Sequence, residues 1–117
     1  MTIHILGSIL FGIYFFYSGF HHFQEEKALT GYTKSKGVPS PRLAVLLSGV
    51  LLMIGGLGFI TNTYTSYSAA LLIVFMVPTT FIMHAFWKTA DKAHKSSEMI
   101  SFMKNVALIA ALLMALN

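Results

Sequence analysis

Apolar positions fill four stretches of the chain, 3–23, 43–60, 67–87 and 99–116, and apart from Lys104 every charged residue lies in the segments between them. At about 1.5 Å of rise per residue, each stretch as a helix is long enough to cross, or nearly cross, a hydrocarbon core about 30 Å thick. The pattern therefore predicts an all-α fold, a transmembrane four-helix bundle forming a single domain over 1–117. The link 61–66 is short and uncharged, which makes the second and third spans an antiparallel hairpin. The longer connection 24–42 contains Gly37-Val38-Pro39-Ser40-Pro41, whose prolines bar a continuous helix and predict a fixed turn before the second span. No internal repeat or low-complexity segment is present.

Interruptions of the apolar pattern carry the remaining information. In the first span Tyr14, Tyr17, Ser18 and His21 recur at i, i+3, i+4 and i+7, a polar stripe expected to face protein rather than lipid. Ser8, Gly12 and Gly19, and in the second span Ser48, Gly49, Gly55, Gly56 and Gly58, are small residues that permit close helix approach, within the chain or between copies in a homo-oligomer. In the third span Pro78 removes one backbone hydrogen bond and crowds the carbonyl of Val74, predicting a kink or an opened carbonyl. Thr80, His84 and Trp87 follow at helical spacing and should share one stripe near the span's end. Lys88, Lys92 and Lys95 fall at i, i+4 and i+7, a basic face suited to anionic lipid.

Composition agrees with the bilayer as principal partner. Of 117 residues, 56% are hydrophobic and 10% charged, and mean hydropathy is +0.70. The absence of cysteine excludes thiolate chemistry, disulfide exchange and cysteine-held metals. The net charge of +4 sits in two short loops rather than on a folded basic face, so no nucleic acid is implied. All eight Lys and Arg residues belong to the side of the first and third loops. By the positive-inside rule those loops are cytoplasmic and both termini face outward. Nothing at the amino terminus resembles a cleaved signal.

This topology brings His21, His22, His84, Trp87, Glu98, Lys104 and Asn105 to one end of the bundle. Ionisable groups at membrane depth are costly and normally face an interior or a cavity. The candidate ligand-binding set is Tyr17, His21, His22, His84, Trp87, Lys104 and Asn105. Each member also has a plainer reading. The tandem histidines can mark a helix end, Lys104 can snorkel to the interface, Asn105 can join helices, and Trp87 can anchor in the headgroup belt. His21/Glu25 and His22/Glu26 at i, i+4, with His84, are geometrically compatible with a metal. They lack the paired Glu-x-x-His pattern of di-iron bundles, so no metal is expected, and bis-histidine haem is disfavoured. No Walker loop, dinucleotide fingerprint or HExxH occurs. A quinone or another lipid-soluble ligand suits the set better, with its ring near Trp87 or Tyr17, its carbonyl on a histidine, Lys104 or Asn105, and its tail in lipid. A transporter is disfavoured by the absence of acidic residues within the spans and of two inverted halves.

Gly19-Phe20-His21-His22-Phe23, Gly31-Tyr32, Gly37-Val38-Pro39, Ser48-Gly49 with Gly55-Gly56, Pro78-Thr79 with His84-Ala85-Phe86-Trp87, and Phe102-Met103-Lys104-Asn105 together resemble the DoxX family of small four-helix membrane proteins. Two positions depart from the pattern: Ala110 stands where many members carry glycine, and no arginine enters the first span. The resemblance implies a bundle in the bacterial inner membrane. It also implies a link to quinone-dependent oxidation or thiol-redox complexes, with a membrane or peripheral redox partner. Related animal proteins resemble assembly factors, which implies the alternative of a non-catalytic accessory subunit. Lacking cysteine, this chain would need a bound cofactor or partner for any redox activity.

Overall fold

Four of the helices in the computed structural model, which describes residues 2–116, are long and apolar enough to cross a membrane. They are α1 (Ile3–Gln24), α3 (Pro41–Ile60), α4 (Thr65–Met83) and α5 (Lys92–Ala115), with a shorter helix α2 (Glu26–Ser35) between the first two. Large apolar side chains such as Ile3 (89% exposed), Val74 (73%) and Met114 (84%) cover the outside. Only a hydrocarbon environment makes such a surface favourable for a chain of this size.

Backbone contact between α1 and α3 dominates the packing, followed by α4 on α5 and α3 on α4; α1 and α5 scarcely touch. Glycine explains the closest pair. A Cβ on Gly56 would stand 2.6 Å from the carbonyl oxygen of Gly12 and 2.6 Å from the amide of Phe16. One on Gly19 would stand 2.5 Å from the Gly49 carbonyl oxygen. The small-residue faces are thus consumed within the chain, and Ser8 adds a buried hydrogen bond of 2.7 Å to the Phe59 carbonyl. On the other side of α3, Leu72 of α4 fills the space left by Gly55. Phe15, Leu52, Phe59, Ala69, Leu72, Met76 and Leu112 form the shared core.

Three sequence expectations need correction. The segment 24–42 is not a simple loop: Glu25 breaks α1 with φ −110°, ψ 35°, and α2 then runs across the end of the bundle. The prolines that bar helix lie beyond it, and the chain leaves α2 through Gly37 at φ +78°. The third span stops at Met83 rather than at Trp87. His84 caps α4 with φ −118°, ψ 43°, and Phe86–Lys88 form a separate 3₁₀ turn, so Thr80, His84 and Trp87 share no stripe. The fourth helix starts at Lys92, where the Asp91 carboxylate accepts from the His94 amide. Lys88 therefore lies on a different element from Lys92 and Lys95. At Pro78 α4 continues as helix, and nearby the Thr79 and Thr80 hydroxyls donate to the Phe75 and Met76 carbonyls at 2.7 and 2.6 Å.

Candidate functional site

A cavity of about 310 Å³ lies among all five helices at the α2 end. Its walls are largely apolar, with Phe15, Leu52, Phe75, Met76 and Leu108 among them, and Leu29, Tyr32 and Thr33 of α2 close one end. His22, His84, Lys104 and Asn105 of the sequence-derived set line it. Tyr17, His21 and Trp87 do not.

Helical phase separates the two groups. Gly12 and Gly19 fix which face of α1 meets α3. Tyr17 and His21 lie two residues before and after Gly19, each about 200° round the helix from it. They stack on one another on the outer surface, ring centroids 6.3 Å apart and Tyr17 62% exposed. The expected polar stripe is therefore split, with Tyr14 and Ser18 at the cavity and Tyr17 and His21 away from it. Trp87 joins Phe81, Phe86 and Phe102 in an aromatic cluster at centroid distances of 6.3, 5.2 and 5.6 Å.

His22 binds across the α1–α3 contact. Its Nδ1 is 3.1 Å from the Val45 carbonyl oxygen and 3.0 Å from Ser48 Oγ, while Ser48 donates to the same carbonyl at 2.9 Å. A carbonyl can only accept, so Nδ1 carries the hydrogen, and in the neutral ring Nε2 is left as an acceptor.

Glu98, 12% exposed, is the hub at the α2 end. Its carboxylate accepts from the Tyr32 hydroxyl at 2.7 and 2.8 Å, from Lys36 Nζ at 2.6 Å and from His84 Nδ1 at 3.2 Å. The Met83 carbonyl lies 2.9 Å from the same hydroxyl. One hydroxyl hydrogen thus serves a set of oxygens that includes the charged carboxylate. Burial, the hydrogen bond to Glu98 and the Glu98 charge together push the Tyr32 phenol above its ordinary range, and it stays protonated. Through this hub α5 holds both α2 and the turn after α4.

Sequence reasoning placed Glu98 at this end but left it, with Tyr32 and Lys36, out of the candidate set. A usable signal existed: Leu29, Tyr32, Thr33 and Lys36 stand at i, i+3, i+4 and i+7, one face of a helix. His21, Glu25 and Glu26 do not join His22 and His84 in lining the cavity. Among the described residues no three His, Asp or Glu side chains converge as a metal site.

The DoxX family model matches residues 5–85, well over half of the chain. The chain belongs to the DoxX family. As a DoxX protein with four apolar spanning helices it is a multi-pass membrane protein. The matched region takes in α1 to α4 and His84 but ends before Glu98, Lys104 and Asn105. No curated protein and no solved structure matches this DoxX chain.

Proposed function

We propose that this DoxX protein binds a lipid-soluble ligand, a quinone being the first candidate, in the cavity beneath α2, and serves a redox-linked process of the bacterial inner membrane. The single observation that carries the reading is the cavity itself. Its volume is that of a small-molecule site, its walls are apolar, and a few polar groups converge on it. The sparse contact between α1 and α5 supports a lateral route by which a tail passes between helices into lipid. His22 Nε2 and the donors Lys104 and Asn105 suit the two ends of a ring that bears hydroxyl or carbonyl groups. Since the chain has no cysteine, electrons would come from a partner. The excess of Lys and Arg at the α2 end supports a cytoplasmic position for the mouth, with both termini outside.

Native mass spectrometry of protein purified from its own membranes tests the proposal, together with titration of a short-tailed quinone into nanodiscs. Co-purified quinone, or saturable binding that Leu108→Trp abolishes by filling the cavity, is the expected result. No bound hydrophobe and no saturable quinone binding in a folded preparation would overturn it.

A further inference from the structure

The polar groups of the cavity fall into two sets. At the α2 end His22, Ser48, Tyr32 and His84 are all engaged with protein partners. Farther from that end, Tyr14, Ser18, Lys104 and Asn105 line the cavity, and none of their side chains forms a hydrogen bond or ion pair with the described residues. Asn105 is only 8% exposed. No side-chain nitrogen or oxygen among the described residues is both sealed from solvent and unpartnered, so the Asn105 carboxamide opens onto the cavity with two donors and an acceptor to offer a ligand. Lys104 is six residues beyond Glu98, about 9 Å farther along α5. Its Nζ lies 6.0 Å from the centroid of the Tyr14 ring, across the α1–α5 seam. Tyr14 is itself two turns before His22, and both it and Lys104 are exposed, so the ammonium stands at that seam rather than deep in the bundle. The cavity lining contains no acidic side chain to balance it.

We propose that Lys104, Asn105 and Ser18 form a head-group subsite for an anionic, single-tailed amphiphile, a long-chain carboxylate, that enters through the α1–α5 seam. The proposal rests on the reading of the cavity as a ligand site and names the charge of the ligand. A carboxylate offers acceptor positions for the Lys104 ammonium, the Asn105 NH₂ and the Ser18 hydroxyl, and charge-assisted bonds of this kind are the strong ones. It also supplies the countercharge that a cation at this depth lacks. A neutral quinone carbonyl can accept the same hydrogens but leaves the ammonium uncompensated. The apolar side chains of Leu52, Met76 and Leu108 border the space left for the start of a tail.

The experiment is displacement of a fluorescent long-chain carboxylate from the full chain in phosphatidylcholine nanodiscs. The competitors are hexadecanoate, its methyl ester, lysophosphatidate and a short-tailed quinone. Hexadecanoate should compete at least tenfold better than the ester. Lys104→Met and Asn105→Leu should each weaken it at least tenfold while melting temperature stays near wild type, and Lys104→Arg should restore most of the affinity. Equal competition by acid and ester, or unchanged hexadecanoate affinity in Lys104→Met, would overturn the carboxylate subsite while quinone binding kept the cavity reading intact. Stronger competition by lysophosphatidate than by hexadecanoate would assign the subsite to phosphate instead. Failure of every competitor, quinone included, would remove both proposals.

Discussion

Replacing Glu98 by Gln should loosen α2 without unfolding the bundle. The substitution keeps the shape of the side chain and removes the charge that accepts from Tyr32, Lys36 and His84. A hydrogen bond to a charged group contributes about 1.5–3 kcal/mol, and breaking a buried ion pair costs about 3–5 kcal/mol. Lys36 retains 22% exposure and can turn to water, so part of that cost is recovered. A glutamine can also still accept one of the three bonds. About 2 kcal/mol is left, which corresponds to roughly a 30-fold rise in the population with α2 undocked. Because α1, α3, α4 and α5 keep their shared core, the opening is local. Hydrogen exchange in detergent or nanodiscs should show protection falling over 26–35 by that factor and little change in 45–59 of α3. Equal protection of α2 in wild type and Glu98→Gln would refute the claim that this carboxylate holds the helix in place.

Two further outcomes follow from the packing and the titration of Tyr32. Gly56→Ala would drive a methyl group into backbone of α1, so thermal unfolding should report a loss of about 1–3 kcal/mol; Gly31→Ala in α2, with open space at its Cβ, should be neutral or slightly stabilising. The Tyr32 pKa is raised on folding, so its contribution is complete below the unfolded value of about 10 and falls as pH rises from there toward the folded value. The stability difference between wild type and Tyr32→Phe should therefore be constant from pH 7 to 9 and shrink above pH 10, and a difference that grew with pH would contradict the assignment.

The α2 hub shows where sequence reading stopped. Glu98 was visible as one more polar residue near a loop, but its partners Tyr32 and Lys36 are more than sixty residues away in the chain. Nothing local pairs them. The 24–42 segment was read through its prolines, which do break the chain before α3 but lie beyond the short helix α2 and say nothing of it. At the end of α4 the apolar run continues through Phe86 and Trp87, so hydropathy extends the helix. The backbone instead turns at His84, whose ring meets Glu98, while Phe86 and Trp87 pack on Phe102.

The four spanning helices, the membrane class and the small-residue contacts were legible in the residue pattern. Transfer into hydrocarbon and backbone self-satisfaction act window by window, so sequence carries them directly. Which histidines, tyrosines and donors meet was decided by tertiary structure. The Gly12–Gly56 and Gly19–Gly49 approaches set the rotation of α1, which sends Ser18 and His22 to the cavity and Tyr17 and His21 to the surface. The spacing of Gly12 and Gly19 within α1 marks a contact face, but which helix meets it depends on a contact between distant segments.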